Sequence, residues 1–296
     1  MRAIQVTRFG GPDVLCLTEV ERPSPISTEV LVRVLAAGVN PVDCKTRRGE
    51  GVARWMGPPP FIVGWDVAGV VEAIGYGVTR FAVGDVVFGM PRFPRAAGAY
   101  GEFVTAPSRH FARAPKSIPP IDAAALPLAT LTAWQCLVDT ANIKKGENVL
   151  VHGGSGGVGH LAVQIAQSRG AYVATTSSRD RDALASREID VALDLVGGAD
   201  TMLLLDTLRD GGRLFAVADG AKEEVKREGG RRGARVIEPL VEPDGHGLQE
   251  IAKLVDSGDL RVTIDQVFPL EEAAAAHERL ERGGVRGKLV LEVSQP

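Results

Sequence analysis

Between Glu147 and Arg179 the chain carries Gly154-x-Gly156-x-x-Gly159, a spacing suited to phosphate. In this pattern Gly154 permits a tight turn and Gly156 lets a pyrophosphate reach the backbone. Gly159 lets a helix pack on a strand. Alone the motif is weak, because many unrelated loops match it. Its surroundings strengthen it: apolar Val149, Leu150 and Val151 lead in, and Leu161, Ala162, Ile165 and Ala166 lie on one helical face beyond. The N–H groups of Gly154, Ser155, Gly156, Gly157 and Val158, with the helix dipole, are therefore expected to hold a dinucleotide.

The stretch after the second strand, Tyr172 to Thr175, indicates which dinucleotide. An NAD site commonly places a carboxylate about 20 residues beyond the glycines, on the adenosine ribose. Here Thr175, Thr176, Ser177, Ser178 and Arg179 come first, and no acid appears until Asp180. Hydroxyls such as Ser177 with Arg179 and Arg181 suit a 2′-phosphate, which arginine grips bidentately. The expected cofactor is NADP(H). Solvated surface arginines are the competing reading of Arg179 and Arg181.

The 296 residues suggest two domains, and 45% hydrophobic residues are enough for two cores. A net charge of −3 without a basic block excludes nucleic acid or an anionic membrane as expected partners. Cys16, Cys44 and Cys136 form no Cys-x-x-Cys pair, so neither a zinc knuckle nor a disulfide framework is expected. The first residues lack a signal-peptide apolar core, and Phe61 to Val78 contains Asp66 and Glu72. A soluble cytoplasmic protein is expected.

Short strands broken by Gly and Pro precede residue 120: Val30 to Leu35, Val67 to Ile74, Asp85 to Phe88 and Gly101 to Thr105. Ala123 to Asp139 reads as a helix with Pro127 as a kink or restart. Strands then alternate with helices, as in a parallel sheet of βαβ units. The strands are Val191 to Val196, Arg213 to Val217, Arg235 to Leu240 and Arg261 to Ile264, with a helix from Leu248 to Asp256. A helix at Glu271 to Arg282 and a strand at Lys288 to Val293 close the chain.

Several motifs together carry a resemblance. They are Ala37-Gly38-Val39-Asn40-Pro41-Val42-Asp43, Gly64-Trp65-Asp66-Val67-Ala68-Gly69, Gly84-Asp85-Val86-Val87, and Leu126-Pro127-Leu128 with Leu131-Thr132-Ala133-Trp134. Phe268-Pro269-Leu270-Glu271-Glu272-Ala273 and Gly287-Lys288-Leu289-Val290 complete the set. The chain resembles the medium-chain dehydrogenase/reductase superfamily, in its zinc-independent quinone oxidoreductase (zeta-crystallin-like) branch. The resemblance implies an α/β fold: a Rossmann doubly wound parallel sheet plus a GroES-like β-rich catalytic domain. Residues 1–122 and 268–296 would form the catalytic domain and 123–267 the NADP-binding domain, with the active site in the cleft between them. A homodimer is implied as well.

Zinc-dependent members hold the metal with a Cys and a His near the places of Asn40 and Trp65. An amide and an indole cannot replace a thiolate and an imidazole on tetrahedral zinc. No metal is therefore expected, and the reaction easiest without one is hydride addition to an electron-poor quinone or α,β-unsaturated carbonyl. By resemblance Asn40 donates to the nicotinamide or acceptor oxygen, Thr132 bonds the nicotinamide ribose or amide, and Lys288 contacts the cofactor. Val196 and Val217, at strand ends, are further expected cofactor contacts. Asn40 as a turn residue before Pro41, and Thr132 as a packing residue, stay open. Asp43 reads better as an Asx-turn residue or a buried hydrogen-bond partner than as a general acid, and Asp66 as structural. The proton donor stays open among Tyr100, Lys45 and water. Trp55, Trp65, Met90 and Phe93 are expected to line an apolar pocket, or to be plain core.

One interval departs from the family pattern. About two dozen residues of a βαβ unit are unaccounted for between Ser186 and Arg187. An omitted stretch is expected rather than a lost strand, because a bare sheet edge invites aggregation. That gap and the missing acid motivate one alternative, an NADPH-binding regulatory or structural protein with little turnover. Within the enzyme class the other is an enoyl-thioester reductase, which would need a groove for a long acyl arm. No basic patch for a phosphopantetheine supports the latter.

Overall fold

The computed structural model describes residues 1–176, 188–218 and 220–294. Strands β1 to β8 are Arg2–Val6, Leu15–Glu19, Glu29–Val39, Phe61–Ile62, Asp66–Ile74, Val86–Gly89, Phe103–Pro107 and Phe111–Arg113. Strands β9 to β13 are Asn148–His152, Tyr172–Thr176, Ile189–Asp194, Leu208–Ala216 and Arg235–Ile237. Ile264–Pro269 and Lys288–Glu292 are β14 and β15. Helices α1 to α4 are Pro41–Arg47, Pro120–Ala124, Pro127–Trp134 and Gly159–Ser168. Helices α5 to α8 are Asp200–Leu205, Glu223–Arg231, Gly245–Asp256 and Ala273–Glu281. The chain forms two compact units: Met1–Leu131 with Glu242–Gly258 and Val262–Pro296, and Thr132–Val241 with Asp259–Arg261.

The first unit is built on a sheet ordered β14-β15-β3-β5-β6-β8, with β7 also paired to β3, and a smaller sheet β2-β1-β4. Its apolar core joins Val30, Val32 and Val34 of β3 to Val67 and Val71 of β5, and to Leu289 and Leu291 of β15. The eleven-residue β3 is long because almost every side chain in it is buried. Irregular pairing with β5 near Leu31 and Val34 lets it bend.

The second unit is a five-stranded parallel sheet ordered β10-β9-β11-β12-β13. Val149, Leu150 and Val151 of β9 are fully buried, as a central parallel strand requires. All six residues of β11 are buried, including an aspartate near each end. Asp190 accepts from Asn148 N at 2.7 Å and pairs with Arg209. A doubly wound sheet of order 3-2-1-4-5-6 has a further strand outside its second. Among the described residues nothing lies beyond β10, the counterpart of that second strand.

Several expected elements take other bounds. A turn was one open reading of Asn40 and of Asp43, but Asn40 precedes and Asp43 lies within a helix, α1, that Pro41 starts, as its fixed φ allows at a first position. The expected strand at Arg261 to Ile264 instead begins at Ile264 and runs to Pro269. Strand β13 stops at Ile237, two residues before Pro239. The run from Ala123 does break before Pro127, and it ends in a π-helical turn, Gln135–Thr140.

Candidate active site

Three neighbouring strands of the first unit bring the chemistry together. Register pairs Leu289 of β15 with Val39 of β3, and Gly38 of β3 with Asp66 of β5. Lys288, Asn40 and Asp66 therefore meet at one end of the sheet. The Asn40 amide is held at both ends: Nδ2 donates to Asp66 Oδ2 at 2.8 Å, and Oδ1 accepts from Lys288 Nζ. Lys288 Nζ also donates to Val39 O at 3.3 Å and Asp66 Oδ2 at 3.4 Å, so its three N–H groups are all engaged. The other oxygen of Asp66 accepts from Leu128 N at 2.6 Å, fixing the start of α3. Asp66 is thus the hub of this cluster.

A second buried cluster adjoins the first through Asn40. The Asp43 carboxyl accepts from Asn40 N at 2.7 Å, closing the first turn of α1. The same Oδ2 accepts from the Tyr100 hydroxyl at 2.9 Å. Tyr100 is fully buried, and burial raises its pKa well above the phenol range. Its ring fits against Gly64, where a Cβ would come within 2.3 Å of Tyr100 Cδ1. Burial pushes Asp43 up to about 7, against the lowering effect of the Asn40 N–H and the Tyr100 hydroxyl. Its Oδ1 is buried without a partner. Lys45, the other candidate proton donor, is half-buried on α1.

The expected substrate residues are placed unequally. Trp65 and Met90 are fully buried, Phe93 nearly so, and Trp55 is 36% exposed beneath Arg54. Trp65 packs edge-on against Phe93 at 5.3 Å and donates its indole N–H to Arg95 O at 2.7 Å. Phe93 lines a depression of about 270 Å³ with Arg92, Arg95, Pro107, His110 and Pro243, so the sequence missed its polar wall.

The glycine turn sits in the second unit between β9 and α4. The left-handed residue is Gly153, at φ 88°, rather than Gly154. Gly154 is needed for a different reason: a Cβ there would lie 2.6 Å from Thr175 Cγ2. At Gly159 a Cβ would meet Gly153 O at 2.2 Å, so helix and turn could not close. At Gly156 the nearest atom would be Gly153 O at 3.4 Å, and no internal packing requires glycine there. That space suits a pyrophosphate, and no side chain among the described residues caps the N-terminus of α4. The residues present fit a dinucleotide.

Val196 is 52% exposed just past β11, and Val217 N donates to Asp194 O at 2.9 Å. Asp194 was missed by sequence reasoning. It accepts from Val196 N, Gly197 N and Thr201 Oγ1 at 3.1, 2.9 and 2.6 Å, and so shapes the loop carrying Val196. An acid ending an apolar strand before Val-Gly-Gly was the available signal. Thr132 lies in α3 and is 6% exposed. Ser177, Arg179 and Arg181, with the interval from Ser186 to Arg187, lie outside the described residues.

A metal does not fit the first cluster. The Lys288 ammonium already occupies the cation position beside Asn40, and the Trp65 nitrogen is a donor engaged with Arg95 O.

Strand register, glycine turn and two-unit division are those of a medium-chain dehydrogenase/reductase. The alcohol dehydrogenase GroES-like domain family matches residues 27–116, and a family described as zinc-binding dehydrogenase matches residues 165–291. Human quinone oxidoreductase is 30% identical over 325 positions, covering 98% of this chain and 97% of the relative. Those positions outnumber the 296 residues here, so the relative carries residues without a counterpart in this chain. The quinone oxidoreductase structure from Coxiella burnetii superposes with a TM-score of 0.91 at 35% identity, covering 99% of both chains. Escherichia coli quinone oxidoreductase complexed with NADPH gives 0.85 at 26%, covering 99% of this chain and 100% of that one. The chain belongs to the medium-chain dehydrogenase/reductase superfamily. Within it the branch is that of the zinc-independent quinone oxidoreductases.

Proposed function

We propose that this oxidoreductase reduces quinones or α,β-unsaturated carbonyls with NADPH, without a metal ion. The observation that carries this reading is the Asn40 amide clamped between Lys288 and Asp66, with an ammonium where a metal would otherwise polarise the acceptor. The quinone oxidoreductase relatives and the NADPH complex of one structural neighbour support it. Bound NADPH supplies a hydride from its nicotinamide C4.

The chain's own residues do the rest. Backbone groups of Gly154, Ser155, Gly156, Gly157 and Val158 hold the pyrophosphate against the α4 dipole. Ser177, Arg179 and Arg181 hold the 2′-phosphate, and Thr132, Val196 and Val217 hold the nicotinamide half. Asn40 has a second amide N–H that Asp66 does not use, and this orients the nicotinamide amide or the acceptor oxygen. Lys288, with its donors engaged, acts by fixing that amide and by its charge. Phe93 offers an apolar wall to a flat acceptor. Tyr100 is bonded on both sides and fully buried, so the proton that follows the hydride comes from Lys45 or water. The first unit acts as the catalytic domain and the second as the cofactor domain, in a cytoplasmic homodimer; Glu242–Gly258, expected with the cofactor domain, belongs to the first unit. Among the described residues no helix is long and apolar enough to cross a membrane.

The test is NADPH consumption by the chelator-treated protein against a panel of 1,4-quinones and α,β-unsaturated ketones. Turnover with members of the panel is expected. Quenching of Trp fluorescence by NADPH with no consumption would favour a binding protein instead.

A further inference from the structure

His277, on α8, is fully buried, and its two ring nitrogens have different partners. Arg47 Nη1 lies 3.2 Å from Nδ1, and a guanidinium can only donate, so Nδ1 is the acceptor. Burial, and then the Arg47 charge, hold the ring's pKa down to about 3, so the imidazole is neutral. Its one N–H is therefore on Nε2, 3.1 Å from the Tyr100 hydroxyl oxygen. Tyr100 accepts that bond and passes its own proton toward Asp43 Oδ2. Asp43 Oδ2 also receives Asn40 N–H.

The chain of bonds has one direction: Arg47 to His277 to Tyr100 to Asp43. Each donor favours the ionised carboxylate, while burial favours the neutral acid. The other charges near Asp43 are Asp66 and Lys288, of opposite sign, with the Cys44 thiol beside it in sequence. Behind Arg47, Glu281 accepts from both Arg47 and Arg48 at 2.6 Å, anchoring the guanidinium at the start of the chain.

We propose that His277, aligned by Arg47 and acting through Tyr100, is a positioning residue that keeps Asp43 ionised and thereby holds Asn40 in place for the acceptor. This rests on the role of Asn40 proposed above. The link is mechanical: Asp43 grips the Asn40 N–H where α1 begins, and the Asn40 side chain leaves that same residue toward Lys288 and Asp66. Protonating Asp43 weakens the grip and loosens the clamped amide.

The test uses His277→Phe, which keeps ring shape without nitrogens, Tyr100→Phe, which removes one hydroxyl, and His277→Gln. Glutamine offers an acceptor to Arg47 and a donor to Tyr100, so it preserves the pattern without titrating. The Asp43 carboxyl is titrated by ¹³C NMR in the full chain, and kcat and KM for quinone reduction are followed against pH. In H277F and Y100F the Asp43 midpoint is expected to rise by about one pH unit, a tenfold fall in the acid constant. The acid limb of kcat should follow it, with KM for NADPH unchanged, and H277Q should restore both. An unmoved midpoint in Y100F, or H277Q as displaced as H277F, overturns the relay and leaves packing alone. A shifted midpoint with an unshifted kcat profile overturns the positioning role. Failure of the wild type to oxidise NADPH at all would remove the proposed function, and the carboxyl titration would still decide whether the relay exists.

Discussion

Lys288 Nζ lies 3.4 Å from Asp66 Oδ2, with side chains 3% and 0% exposed, and the Asn40 amide bonds both. Removing one partner of such a pair strands a buried charge, at a cost of about 3–5 kcal/mol. Lys288→Met is expected to lose stability in that range by urea denaturation. Adding Asp66→Asn should recover at least half of the loss, because no charge then stays unpaired. A double variant no better than the single one would deny the pairing.

Asp43 and His277 bend stability against pH in opposite directions. Asp43 rises from 3.8 to about 7 on folding, so between these values the folded chain holds more protons and stability falls as pH rises. His277 drops from 6.5 to about 3, so between those values the unfolded chain holds more protons and stability rises with pH. The two partly cancel between about pH 4 and 6.5. His277→Gln should therefore lower the slope of unfolding free energy against pH in that window by about 1.4 kcal/mol per pH unit. Chemical denaturation at three pH values checks it; an unchanged slope would mean that His277 titrates normally.

Gly156 and Gly159 should fail differently. Gly159→Ala forces a Cβ to 2.2 Å from Gly153 O and is expected to lower Tm and expression. Gly156→Ala meets nothing inside the protein closer than 3.4 Å, so it should fold normally and bind NADPH at least tenfold more weakly. Isothermal titration with thermal melting separates the two effects.

Burial pushes the Cys44 and Cys136 thiols up to about 12, while Cys16 is half-buried. Thiolates are the reactive form. A disulfide reagent at neutral pH should modify Cys16 in the native protein and reach the other two only after denaturation, as read by peptide mass.

What was legible in the sequence was local. The glycine turn declares itself because strand, turn and helix occupy consecutive residues, and the same holds for the buried run Val149 to Val151. The Asn40 and Lys288 contact spans 248 residues and exists only through the register of β3 with β15, which no spacing announces. His277 was just as hidden: its partners Arg47 and Tyr100 lie on distant segments. Tyr100 was legible as a candidate, but its burial against Gly64 makes it a relay instead of a surface acid. Helix α1 was missed because Pro41 reads as a turn signal as easily as a helix start.

Direct hydride delivery is tested most sharply by a single turnover of chelator-treated protein with NADPH deuterated at the transferable C4 position and an α,β-unsaturated ketone. The saturated product should carry one deuterium on the carbon β to the carbonyl, with the α proton drawn from solvent. A product without deuterium, or no product until a divalent metal is restored, would contradict metal-free hydride transfer.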